Sequence, residues 1–190
     1  MDKRIIKTKK SITDALLYLI EKKESNKITV SEIAEVAKIE RKTFYLHYSC
    51  IEDVYNDLQK HIEDDFNEEI KKITKDPNFQ FRNIYYNLNT VINNNINFFK
   101  SVAKNDSYSF LLHSFENILS SMICEVAINM CHVKSKNTKY YSDFYASGIL
   151  SLYTKWLRGE TDLSLDELTN ILTKVSFLSA DELINRTPKF

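Results

Sequence analysis

Within residues 41–47, Arg41, Lys42, Thr43, Tyr45 and His47 combine cationic charge with hydrogen-bonding capacity, and Phe44 and Tyr48 stand beside them as apolar anchors. Arg41 and Lys42 can reach phosphates or guanine edges. Thr43 can bond a phosphate or touch a thymine methyl, and Tyr45 and His47 can donate to phosphate oxygens. This is the chemistry of double-stranded DNA recognition, in which one short helix enters the major groove and another braces it. Little else in the chain competes. There is no Gly-rich phosphate loop, nucleophile elbow or paired-carboxylate motif. Cys124, Cys131, His132 and His113 lack the C-x-x-C or H-E-x-x-H spacing of a metal site, so buried thiols and a helix-end histidine are the expectation. The reading is a binding protein, not an enzyme, with no metal and no cofactor.

A reading helix needs elements that hold it. Ile5, Ile12, Leu16, Leu19 and Ile20 recur at helical spacing and predict a first amphipathic helix from Lys3 to about Glu24. Thr29 and Glu32 have the spacing of a capping box, flanked by Ile28 and Ile33 as a hydrophobic staple. Val30, Ile33, Ala34 and Ala37 give the second helix one buried face, and it must end near Lys38. Arg41–Tyr48 is the third. Ser49 with Glu52 caps a fourth, carried by Ile51, Val54, Leu58, Ile62, Phe66 and Ile70 to about Lys75.

The stretch from Ile28 to Asp53 resembles the DNA-binding motif of the TetR/AcrR family of transcriptional regulators. The match is carried by ITVSEIAEVA, by RKTFYLHY with its Thr-Phe-Tyr-x-His-Tyr order (Thr43 to Tyr48), and by the capped helix beginning SCIED. The resemblance implies that Thr29–Lys38 is the brace and Arg41–Tyr48 the recognition helix. It carries Thr43, Tyr45 and His47 over as DNA contacts, with Lys42 as a fourth. Arg41, Thr29 and the first-helix lysines Lys3 and Lys7 complete the expected interface. Three residues depart from the pattern: Lys38 stands where the turn usually has Gly, Glu40 replaces a Ser cap, and Ile51 stands where a phosphate-binding Lys is common. Lys38 therefore predicts either a strained left-handed turn or a different turn.

The whole chain fits this frame. A content of 2 Gly and 2 Pro in 190 residues is too small for the turns of a β-rich fold, so an all-α fold of about nine or ten helices is expected. Residues 1–50 hold 11 Lys/Arg against 7 Asp/Glu, whereas residues 51–76 hold 4 against 9, a basic head followed by an acidic neck. The fourth helix bridges the two parts, and Asp76–Pro77 marks a seam. Counting that helix with the second part gives a helix-turn-helix domain at 1–50 and a larger ligand-binding and dimerisation domain at 51–190.

The second part predicts further helices over Phe79–Lys104, with a break near Asn93–Asn97, and from Asp106 or Ser107 to about Val133. A polar linker follows at Lys134–Lys139. The next helix ends at Arg158–Gly159, one capped by Ser164 and Glu167 comes after it, and Ser179 with Glu182 starts a last short one. By the family resemblance, Tyr86, Phe99, Phe110, His113 and Phe115 would surround an effector pocket. Tyr141, Tyr145, Gly148, Leu152 and Trp156, with Leu168, Leu172 and Val175, would pair with the same helices of a second subunit. The C-terminal helices faintly resemble those of dihydroxyacetone-kinase operon regulators, where a protein co-regulator could take the effector's place.

Three scattered cysteines favour a reducing cytoplasm, and neither a signal peptide nor a long uncharged apolar run is read, so no membrane partner is expected. The resulting expectation is a homodimeric regulator, a repressor, bound to a palindromic operator and answering to an unidentified small molecule or protein. The alternative is a helical interaction module or co-regulator that has lost specific DNA binding through the departures at Lys38, Glu40 and Ile51.

Overall fold

Ile12, Ala15, Leu16, Leu19 and Ile20 form one buried stripe on α1 (Lys3–Ile20) in the computed structural model, which describes residues 3–74, 80–129 and 136–185. The helix stops short of Glu24. The Lys22 and Lys23 amides both turn back to the Leu19 carbonyl at 2.9 Å, and Ser25–Lys27 then makes a 3₁₀ turn. Next come α2 (Val30–Val36), α3 (Arg41–Tyr45) and the long α4 (Ile51–Thr74). At the start of α4 the Ser49 amide donates to Asp53 Oδ2 at 2.8 Å, so Asp53 and not Glu52 caps this end.

The body contains α5 (Phe81–Asn94), α6 (Ile96–Lys104), α7 (Ser109–Asn129), α8 (Thr138–Arg158) and α9 (Leu165–Asn185). These make nine α-helices and no strand among the described residues. The expected break falls at Asn95, whose backbone (φ −131°, ψ 35°) leaves the helical region between α5 and α6. A 3₁₀ turn, Asp106–Tyr108, leads into α7, with the Asn105 side chain accepting from the Ser107 amide at 3.0 Å. Gly159, at φ 75°, closes α8. The Ser164–Glu167 capping box forms as read. The Ser179–Glu182 pair does not open a new helix, because α9 runs unbroken to Asn185 over a stretch with no Gly or Pro to stop it. The Asp76–Pro77 seam and residues 134–135 lie outside the described residues; of the rest of the expected Lys134–Lys139 linker, Lys136 and Asn137 form a turn, and Thr138 and Lys139 already belong to α8.

The packing is helix on helix: α7 lies along α8, α5 against α9, and α4 against α7. The head joins this bundle through α1, which touches α2, α4 and α6. One apolar cluster runs without interruption from Ile12 in the head to Leu172 in the body. Asp106–Asn129 is long and apolar enough to cross a membrane by length and composition, which the sequence reading passed over. Its buried residues Leu111, Phe115, Leu119, Met122 and Val126 nevertheless fall at three- and four-residue spacing, the single stripe of a helix packed against protein.

Candidate nucleic-acid interface

The brace is built from local chemistry. The Thr29 side chain accepts from the Glu32 amide at 3.3 Å while Glu32 Oε2 accepts from the Thr29 amide at 3.1 Å, the reciprocal capping box expected. The Thr29 hydroxyl also donates to Glu32 Oε2 at 2.9 Å, so its proton is committed within the cap. Hydrogen bonds from Lys23 and Thr29 hold the Glu32 carboxyl below its ordinary value. Ile33 and Ala34 are buried, and Ile28, just before the cap, is buried with them.

After α2 the chain turns in a Schellman motif. The Ile39 amide donates to the Ala34 carbonyl at 2.9 Å and the Lys38 amide to the Glu35 carbonyl at 3.1 Å. Lys38 occupies the left-handed position of that motif at φ 56°, the first of the two turns the sequence allowed. The turn delivers Glu40 to the N-cap of α3, where its side chain makes no capping hydrogen bond.

Helix α3 is shorter than Arg41–Tyr48, but the Leu46, His47 and Tyr48 amides continue its turns back to the Lys42, Thr43 and Phe44 carbonyls. Phe44 is completely buried and packs edge-on to Tyr45 and tilted against Tyr48, with ring centroids 5.5 and 5.9 Å apart. That anchor turns Arg41, Lys42 and Tyr45 outward and leaves Thr43 and His47 half-buried at the flanks. Lys3 and Lys7 are exposed on α1. Leu46, which the sequence reading did not choose, is 74% exposed beside Tyr45. No polar or periodic signal marks such a residue, although an exposed apolar side chain on a reading helix suits a thymine methyl.

A second group missed in the sequence fixes the far end of α3. The Tyr48 hydroxyl donates to Asp57 Oδ2 on α4, and Lys9 of α1 pairs with the same oxygen at 3.4 Å while lying 4.8 Å from the Tyr48 ring centre. Burial pushes the Asp57 carboxyl up, but the Tyr48 hydroxyl and the Lys9 ammonium outweigh it and hold the group below its ordinary value. Burial also raises the Tyr48 hydroxyl, helped by Asp57, so it stays a donor at neutral pH. Lys9 is thus engaged in holding the head together.

In the body, the four aromatics and one histidine expected around an effector divide. Phe99 and Phe115 are core residues, their rings tilted against each other with centroids 5.5 Å apart, and Phe98 packs edge-on to both. Tyr86 is exposed under Arg82, Phe110 is exposed and edge-on to Tyr55, and His113 is exposed near Glu116. A cleft of about 220 Å³ opens elsewhere, between Asp65 and Glu68 of α4 and Asn87, Thr90 and Asn94 of α5.

Of the residues expected at a subunit interface, Leu168 and Leu172 are buried inside the chain, and Leu152 and Trp156 are half-buried against the same core. Tyr141 and Val175 are exposed, Tyr145 is half-buried, and a Cβ added to Gly148 would meet nothing within 4 Å. Tyr140 and Phe144 on α8 are 73% and 74% exposed, and Ile171 on α9 is exposed as well. Along α8, Ser142, Ala146 and Tyr153 face the core while Tyr140 and Phe144 face outward, one position round from the expected Tyr141 and Tyr145. Among the described residues no group of His, Cys, Asp and Glu could hold a metal. Cys131 and His132 lie outside them.

Comparison with known proteins agrees with this architecture. Residues 80–177 match a TetR family model described as a transcriptional regulator C-terminal region. A search of curated proteins finds no match. Among solved structures, the dihydroxyacetone kinase operon activator DhaS is similar at 20% identity and a TM-score of 0.68, over 94% of this chain and 98% of that one. Lin0861 from Listeria innocua is similar at 21% and 0.67, over 94% of each chain. The TetR family repressor AlkX from Dietzia sp. strain DQ12-45-1b, implicated in biodegradation of n-alkanes, is similar at 15% and 0.59, over 92% of this chain and 98% of that one. These three likenesses concern the fold. The family model, covering more than half of the chain, carries the assignment: this chain belongs to the TetR family of transcriptional regulators.

Proposed function

We propose that this protein binds a palindromic operator as a homodimer, acts as a repressor, and releases DNA when the body binds a small molecule or a partner protein. The observation that carries the reading is the head itself. Phe44 is buried and the Schellman turn is formed, so Arg41, Lys42 and Tyr45 project together, flanked by Thr43 and His47. Arg41 and Lys42 are assigned to phosphates or guanine edges, Thr43, Tyr45 and His47 to phosphates, and Leu46 to a thymine methyl. Lys3 and Lys7 add phosphate contacts from α1. Thr29 acts chiefly through its cap. The head comprises residues 1–50, and the body 51–190 holds the effector site and the subunit interface. Two heads spaced about one DNA turn apart require that interface, and the exposed Tyr140, Phe144 and Gly148 of α8, with Ile171 of α9, are assigned to it.

An effector must prefer one arrangement of the two heads over the other, since equal affinity for both shifts nothing. Phe99 and Phe115 are the members of the expected pocket that lie inside the body. The fold neighbours include one named an activator and one named a repressor, so a reporter assay must fix the sign of regulation.

The decisive measurement is a mobility-shift series on DNA flanking the protein's own gene at rising salt. Specific binding at least about a thousandfold tighter than to random duplex, and weakening steadily with salt, supports the regulator. Tyr45→Ala with His47→Ala should abolish it and leave the dimer intact. Binding no tighter than to random DNA at low salt refutes the reading and favours an interaction module that no longer reads DNA.

A further inference from the structure

The connection between α1 and α2 is held by a segment of the body far away in sequence. The Ser25 amide donates to Ser107 Oγ at 3.0 Å, and Ser25 Oγ donates to the Ser107 carbonyl at 2.8 Å, a reciprocal pair between two loops. Beside it the Tyr108 hydroxyl donates to the Lys23 carbonyl at 2.5 Å, from a residue with no exposed surface. Both body residues sit in the 3₁₀ turn that Asn105 fixes through the Ser107 amide. That turn is anchored in its own domain: Arg158, at the end of α8, donates from Nε to the Ala103 carbonyl at 2.5 Å and lies 3.7 Å from Asp106.

On the head side the contact leads directly to the brace. Lys23, whose carbonyl Tyr108 holds, also pairs through its ammonium with Glu32, the residue that closes the α2 capping box with Thr29. The chain of contacts therefore runs from the end of α8, through the 3₁₀ turn, into the first turn of the helix that braces the reading helix. Tyr108 also lies near Phe110, which packs on Tyr55 of α4, so the turn is wedged against the neck as well.

We propose that Ser107 and Tyr108 are positioning residues for DNA binding: they clamp the α1–α2 loop and set the angle at which each subunit presents its reading helix. The clamp touches no DNA. It acts on a two-headed protein by holding the separation and tilt of the heads to the value the operator requires, and the inference rests on the dimeric DNA-binding reading above. A clamp of this kind affects binding to two half-sites together far more than binding to one, which separates it from a residue that merely supports folding.

The test uses the full chain with Ser107→Ala, Tyr108→Phe and both together, on three duplexes: the operator, the operator with its half-sites moved apart, and a single half-site. The clamp predicts that the double variant binds the operator about three- to tenfold more weakly, as expected for lost hydrogen bonds of ordinary strength. It should bind the single half-site as the wild type does, and lose less than the wild type when the half-sites are moved apart. Ser107→Thr, which keeps the hydroxyl, should restore wild-type discrimination. Unchanged operator affinity and spacing dependence in the double variant overturn the proposal, as does an equal loss on operator and half-site. Amide exchange on the free protein provides an arm independent of DNA, and Ser107→Ala alone serves should the double variant fold poorly. Residues 22–33 should exchange about fivefold faster or more while α7 is unchanged. If the wild type binds no sequence specifically, the functional reading fails, and the exchange arm still decides the clamp: unchanged rates across 22–33 overturn it.

Discussion

Lys38 holds a backbone conformation that L-residues with a Cβ adopt at a cost, at φ 56°, in the turn that leads from α2 into α3. The protein's other positive-φ position among the described residues is Gly159, and the two do the same job. Each sits at the left-handed position of a Schellman motif, with paired amide-to-carbonyl bonds to the last turn of its helix. At Gly159 the conformation is nearly free; at Lys38 it is not. Lys38→Gly should therefore raise stability, by about 0.5–1 kcal/mol once the greater freedom of Gly in the unfolded chain is set against the relieved strain. Urea midpoints for the two proteins measure it. A lower midpoint in the glycine variant would mean that the lysine side chain contributes more to the turn than its backbone costs.

At the scale of elements, the head sets α1 against two helices, α2 and α3, that are too short to persist alone, and charged groups help tie them together over long sequence separations. Asp57 ties α4 to the end of α3 through Tyr48 and to α1 through Lys9. Its carboxyl is lowered in the folded state from an ordinary value of 3.8, so the folded protein gives up that proton more readily than the unfolded chain. The sign follows. The contribution is complete above the ordinary value and disappears as pH falls through the lowered folded-state value. Asp57→Asn should be less stable than the wild type at neutral pH, with the gap closing as the solution is acidified through that window. A gap independent of pH would show that Tyr48 and Lys9 do not depend on the charge of their partner.

Asp57 also marks the limit of what a sequence displays. The Thr29–Glu32 and Ser164–Glu167 caps, the Asn95 break and the Gly159 stop were legible because their partners lie within a few residues. Asp57, Ser107 and Tyr108 find partners 48, 82 and 85 residues away, and nothing in local periodicity points to them. The Ser179–Glu182 pair shows the converse: a local cap signal inside α9 is silent when the helix already has its hydrogen bonds on both sides.

For the molecule as a whole, the arrangement of α8 decides which of its aromatics the chain buries and which it leaves exposed. Tyr153, buried, donates to Asn89 Oδ1 at 2.6 Å, and Asn89 donates to Thr169 at 2.7 Å, a buried polar network that sets how α8 and α9 rotate against α5. With that rotation set, Ala146, Ile149 and Leu157 go inward, and Tyr140, Phe144 and Gly148 have nowhere to go but outward. Large aromatics three-quarters exposed on a soluble surface are costly unless something covers them. In a dimer, a facing helix could approach closely over Gly148 and bury Phe144. Phe144→Glu with Tyr140→Glu places two charges on that face without touching the core. The expected outcome in sedimentation is a folded monomer with unchanged helical content. In a mobility shift it should lose operator binding yet keep the wild-type affinity of one head for a single half-site, because the substitutions fall on α8, whereas α3 packs on α2. A variant that remains dimeric would move the interface to another face, and the heads would then have to meet the operator in a different geometry.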